Sequence, residues 1–259
     1  MGGKHFLFIC FIIFIAMITC SCNQNRSSTN DLSFSKPTNL AIPSNSNNDY
    51  EIVSKTIYTN DSVICVNFQI PQIVAQNELD SDCINTLIYE QSKDYILQFG
   101  LSDLYLYDKI EKNGLKNYKF ILEGDYSITL CNEKILSIVF KGFYNIKTEP
   151  HPNNFSFSIN IDFETKQLMD IDSVYELNEK FIELLLSYGS NWLIRTEQKE
   201  VIAEYFNSKL LKQALAYDDT CFYFTKNKFG IIINNLPYAI GNYCTYEIPN
   251  ELIKEFKIA

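Results

Sequence analysis

The sequence predicts an α+β fold, with antiparallel sheets packed against about three main helices. Three observations carry this expectation. The 259 residues include 17 Tyr and 19 Phe against 9 Gly, and aromatic side chains suit a pleated, half-buried surface. Residues 155–163 alternate without a break, Phe155, Phe157, Ile159, Ile161 and Phe163 against Ser156, Ser158, Asn160 and Asp162. That is the period of a strand with one dry and one wet face. Strand-like and helix-like patterns also fall into separate runs, which argues against a strictly alternating α/β chain. With 46% apolar content, a chain of this length builds one compact domain or two closely joined halves.

Near its start the chain carries Lys4 and then an uncharged run from Phe6 to Cys20. As a helix this run would reach about 22 Å, short of the roughly 30 Å hydrocarbon core, so it reads as a signal segment and not as a membrane span. Its end, Met17-Ile18-Thr19-Cys20-Ser21-Cys22, resembles a bacterial lipobox, in which a small residue precedes a cysteine that takes a diacylglyceryl group. Ser21 makes Cys22 the expected lipidation site; Cys20, after the bulkier Thr19, is the alternative. Residues 1–21 are then a lipoprotein signal peptide. Residues 22–48, rich in Asn and Ser with Pro37 and Pro43, form a tether spanning about 25–30 Å root-mean-square. The body divides at 49–146 and 147–259, and the expected location is the cell envelope, anchored to a membrane by lipid.

Composition narrows the partners. The net charge is −9 and Lys and Arg form no block, so a phosphate-tracking surface is missing and nucleic acid is not an expected partner. The sequence holds no P-loop, GxGxxG, GxSxG or HExxH pattern, leaving no basis for nucleotide binding or a common hydrolase signature. Beyond the anchor are Cys65, Cys83, Cys131, Cys221 and Cys244. Their number is odd and no CxxC occurs, so neither a thiol redox pair nor a zinc knuckle is expected. Cys65 and Cys131 read as small buried residues of strands, while Cys221 and Cys244 lie in what read as neighbouring strands that could bridge. No cofactor or metal is expected.

The elements follow in order. Tyr50–Tyr58 and Ser62–Ile70 flank Asn60-Asp61 and predict a hairpin, with Pro71 ending the second strand. Leu79, Cys83, Ile84, Leu87, Ile88, Ile96 and Phe99 recur at spacings of three and four, predicting a helix over 78–99 with one apolar stripe. A loop holds Asn113-Gly114. Strands are predicted at 118–123, 126–131, 134–146 and 155–163. Helices are predicted over 176–188, which Trp192 follows as an expected core residue, and over 197–217. Strands at 221–225, 229–234 and 243–248 and a short helix over 250–256 close the chain.

The chain carries, in order, Ile70-Pro71-Gln72-Ile73, Cys83-Ile84-Asn85, Ile135-Leu136-Ser137-Ile138, Tyr144, His151-Pro152, Asn160-Ile161-Asp162-Phe163-Glu164-Thr165-Lys166, Leu168-Met169-Asp170, Phe222-Tyr223-Phe224-Thr225, Leu236-Pro237-Tyr238-Ala239-Ile240-Gly241 and Tyr246-Glu247-Ile248-Pro249. Together these segments resemble the extracytoplasmic module of the RsiV-like anti-sigma factors, also found before peptidoglycan deacetylase domains and in bacterial lipoproteins. The resemblance covers about residues 50–256. Where the family carries Gly-Gly-Ala before the His and Thr-Gly-Lys at the turn, this chain has Thr148-Glu149-Pro150 and Thr165-Lys166-Gln167. The resemblance implies recognition of a lysozyme-like protein or a peptidoglycan-related ligand.

For partner contact the expected residues are His151, Tyr144, Asp162 and Tyr238. His151 is the sole histidine after the signal segment, so any triad would have to use it. An acid–base pair of His151 with Asp162 or Asp170, as a wall-acting hydrolase or deacetylase needs, is the enzymatic alternative. A ligand-free structural lipoprotein is another. Against the first stands the setting of Asp162, Glu164, Asp170 and Asp172, since acidic residues are favoured at a turn for purely local reasons. The leading expectation is an envelope binding or sensing module, not an enzyme.

Overall fold

The structure, a computed structural model, describes residues 50–60, 64–75, 78–98, 119–146, 151–194, 220–234, 236 and 241–258. The leader with Cys20 and Cys22, the tether, Asn113-Gly114, Phe99, Tyr238 and the helix expected over 197–217 lie outside the described residues, as does the Trp192 side chain. Within them the α+β expectation holds: two sheets of mainly antiparallel strands with helices packed beside them.

The first sheet has six strands in sequence order: β1 (Tyr50–Asn60), β2 (Ile64–Ala75), β3 (Phe120–Cys131), β4 (Ile135–Ile146), β5 (Asn153–Asp162) and β6 (Gln167–Leu168). All neighbours run antiparallel except β2 and β3, which are parallel from Ile64–Phe120 to Phe68–Gly124. Parallel pairing needs a long crossover, and helix α1 (Glu78–Ile96) occupies it.

Pro71 does not end β2, which continues to Ala75. The ladder to β3 stops at Phe68, so beyond that point no strand among the described residues pairs with that edge of β2. Asn85 of α1 takes the vacant place: its Oδ1 accepts from the Ile73 N–H (2.7 Å) and its amide donates to the Ile73 carbonyl (2.8 Å). Pro71, two residues earlier, turns its nitrogen to the same edge, where no ladder hydrogen bond is lost. On α1, Ile84, Ile88, Ser92 and Ile96 are buried at four-residue spacing, while Cys83, expected in the apolar stripe, is exposed.

Residues 118–131 do not form two strands, since β3 runs through Gly124 without a turn. The reason lies across the sheet, where register places Ile57, Phe68, Gly124, Gly142 and Phe155 in one row. A Cβ on Gly124 would collide with the Phe68 ring, and one on Gly142 with the Glu123 carbonyl and the Phe155 ring. The two central glycines thus make room for aromatics arriving from both sides. Phe68 stacks on Phe140 (5.6 Å), Phe140 on Phe157 (4.6 Å), and Tyr95 of α1 on Phe157 (4.2 Å).

A chain segment containing α2 (Ile171–Val174) and α3 (Glu179–Ile194) follows, the latter three residues later than its predicted start. The second sheet is β7 (Thr220–Phe224), β8 (Lys228–Ile233) and β9 (Cys244–Pro249), joined by hairpin pairing. Its core gathers Phe222, Phe224, Phe229, Ile231, Tyr246 and Ile248 with Phe181 and Leu185 of α3. Helix α4 (Asn250–Ile253) and a 3₁₀ turn (Lys254–Phe256) add Ile253 and Phe256.

Cys221 and Cys244 are not on neighbouring strands. Strand β8 lies between them, and they register with Ile232 and Ile233, adjacent residues that face opposite sides. Two strand spacings are about 10 Å, beyond the roughly 7 Å a disulfide spans. Neither forms a disulfide and both are buried; Cys65 and Cys131 are only half-buried.

Candidate interaction site

The segments that carry the family resemblance converge in three places, and two of them are structural joints. The first is the Asn85–Ile73 clamp. The second lies between the sheets. Ser156, Ser158 and Asn160, expected on a wet face, are 0%, 8% and 4% exposed. The outer edge of β7 covers them. The Phe222 carbonyl accepts from Ser158 Oγ and from the Asn160 amide (2.6 Å), and the Phe224 N–H donates to Ser137 Oγ (2.9 Å). Ser137 in turn donates to Asn160 Oδ1 (2.7 Å) and accepts from Thr129 (3.0 Å). Side chains of β4 and β5 therefore do for β7 what a neighbouring strand would do, and they satisfy a buried edge that would otherwise cost about 1–3 kcal/mol per lost partner.

Asp162 is explained locally. Its carboxylate accepts from the N–H groups of Glu164 (2.8 Å) and Thr165 (2.9 Å), an Asx-type turn. Lys166 closes the turn with φ 55, the left-handed conformation that a Gly adopts without cost.

The third place is the opposite end of β5. His151, Pro152 and Asn154 are exposed at the entry to the strand, and Tyr144 of β4 registers with Asn153. The Gly241-Asn242 turn meets them. Asn242 Oδ1 accepts from the Asn154 N–H (3.0 Å), its amide donates to Asn153 Oδ1 (3.4 Å), and its carbonyl accepts from the Leu236 N–H (2.9 Å). Gly241 and Asn242 hold φ 90 and φ 67; Asn tolerates this better than most residues because its short polar side chain bonds locally. Tyr144, half-buried, stacks near Phe120 (6.1 Å) and Phe155 (6.5 Å). Burial also pushes the neighbouring Tyr243 phenol above its ordinary range.

Of the expected partner residues, the structure therefore brings Tyr144 and His151 to one corner. The segment 237–240 with Tyr238 lies outside the described residues, although its flanks at Leu236 and Asn242 are bonded there. Asp162 is elsewhere. Nine strand residues at ~3.3 Å each place it about 30 Å from this corner. Asp170, just past the short β6 that pairs with Ile161 and Asp162, lies at that far end as well. Neither carboxylate can hydrogen-bond His151, so the acid–base pair is not assembled. Among the described residues, no group of three His, Cys, Asp or Glu is placed to hold a metal ion.

Asn242, Asn153 and Asn154 are candidates that the structure adds to those expected from the sequence. Gly-Asn before a strand was a legible turn signal, but nothing in the pattern says which loop such a turn will meet.

No protein-family model and no curated protein matches this sequence. Among solved structures, a DUF3298 family protein from Pseudomonas aeruginosa aligns at 8% identity and a TM-score of 0.44, covering 81% of this chain and 94% of that one. A member of the DUF3298 family from Bacteroides fragilis aligns at 15% identity over 82% of this chain and 96% of that one, with a TM-score of 0.51, and this chain shares its fold.

Proposed function

We propose that the folded body is a binding module of the cell envelope, of the RsiV-like kind, held to a membrane through acylated Cys22 (alternatively Cys20) and the 22–48 tether. Its partner is a lysozyme-like protein or a peptidoglycan-related ligand, and the contact surface is the corner formed by His151, Tyr144, Asn154 and Asn242. The single observation that carries this reading is the pinning of the Gly241-Asn242 turn to the first residues of β5 by the Asn242 side chain, beside exposed His151 and Asn154. Loops fixed before contact lose little conformational entropy on binding, and that saving appears as affinity.

The test is calorimetric titration of the full chain, purified in mild detergent, with lysozyme and separately with muropeptides. One of the two is expected to bind, and His151→Ala or Asn242→Ala weakens that binding at least tenfold, while Asp162→Ala leaves it unchanged. No heat with either ligand removes the proposed ligand class. For the anchor, labelled palmitate should enter the wild type and be lost in Cys22→Ser. Loss only in Cys20→Ser reassigns the site, and no label in the wild type removes the anchor.

A further inference from the structure

We propose that the joint between β7 and the face of β4 and β5 is a built-in seam, one that opens as a unit while both sheets stay intact. The argument starts from what each region buries. The first sheet closes on stacked Phe68, Phe140, Phe155 and Phe157, and the second closes on its own cluster around Phe181 and Phe229. Between them lie Ser137, Ser156, Ser158 and Asn160, small polar side chains that bring little apolar area to the contact. Leu130, Ile135 and Met169, all only partly buried, supply apolar contact across it, and Val139, in register with Ser158, is the buried aliphatic side chain on that face of β4.

The hydrogen bonds there also differ in kind from those of a sheet. Ser158, Asn160 and Ser137 hold Phe222 and Phe224, Asn234 Oδ1 accepts from the Ser156 N–H (3.4 Å), and the Tyr95 hydroxyl meets Cys221 Sγ at 3.6 Å. Each of these contacts uses at least one side chain. Water replaces such partners on opening, so each contributes only about 0.5–1.5 kcal/mol net, and no ladder has to be unzipped. Regions with few apolar contacts open at lower free energy than the core beside them.

Hydrogen exchange on the full chain tests this. The Phe224 and Ser156 amides should exchange in one common opening, at least tenfold faster than the ladder amides of β3 and β4. Ser137→Ala should accelerate that opening a further tenfold and leave the β3–β4 ladder unchanged. Thiol trapping gives a second reading on the unaltered protein: Cys221, beside Tyr95 at the seam, should be modified at least tenfold faster than Cys244, which lies inside the second core. Joint amides as slow as the ladder, equal acceleration everywhere in Ser137→Ala, or equal rates for the two thiols would each overturn the proposal.

Discussion

The two sheets solve the same packing problem with different materials. The first makes space, its glycines at 124 and 142 letting rings from β2 and β5 lie across its centre. The second fills space, with edge-to-face rings such as Tyr175–Phe229 (4.9 Å) and Phe181–Phe256 (5.3 Å) drawn from helix, strand and chain end. What limits a substitution at Gly142 is main chain, the Glu123 carbonyl and Gly124 Cα, together with the Phe155 ring, whereas the nearest atoms to Gly230 of β8 all belong to the Tyr223 ring. Main chain held in a ladder cannot swing aside. A tyrosine ring can.

The largest effect that could break this comparison follows from those glycines. Gly142→Ala should lower stability by about 3 kcal/mol, the upper end of ordinary overpacking, and Gly230→Ala by about 1 kcal/mol. Urea denaturation checks both, and equal losses would mean that the two sheets yield alike. Alkali separates them next. Burial holds the Cys244 thiol and the Tyr175 phenol up to about 12, and it pushes Tyr223 and Tyr246 upward as well. The folded protein keeps these protons longer than the unfolded chain does. Their contribution is therefore intact below about pH 9 and is lost as pH rises toward 12, at roughly 1.4 kcal/mol per group per pH unit within each window. Limited proteolysis across this range should cut within 220–258 before 50–168. Cuts in the first sheet first would reverse the assignment.

Two smaller effects sharpen the account of the first sheet. Asn85→Ala should cost about 1–2 kcal/mol by leaving the Ile73 N–H and carbonyl without their clamp, seen as faster exchange at Ile73 and a lower thermal midpoint. Lys166→Gly should stabilise by about 0.5–1 kcal/mol, because the turn already holds a left-handed conformation that costs a side chain roughly 1–2 kcal/mol. A lower melting temperature in that variant would show that the lysine side chain matters more than its backbone.

Much of the fold was legible because period and punctuation are local. The alternation from Phe155 to Phe163, the spacing of Ile84 and Ile88, and the closing strands before Asn250 each announce their element without reference to the rest. The candidate site was legible only in part. His151 stood out by its rarity and Tyr144 by resemblance, but Asn242 acts through a loop 88 residues away from Asn154, and no spacing rule reaches that far. Resemblance also drew attention to Asp162, whose carboxylate is occupied by turn hydrogen bonds.

What the sequence determined unaided is the place of most of the described strands and of α1 and α3, since dihedral preference and hydrophobic period are settled within a few residues. Tertiary structure alone decided which polar faces are wet. Ser156, Ser158 and Asn160 look solvated in any strand pattern, and they become interior only because β7 arrives with an unpaired edge that needs them. Whether a polar residue meets water depends on its neighbours in space, and a chain read in order does not reveal those.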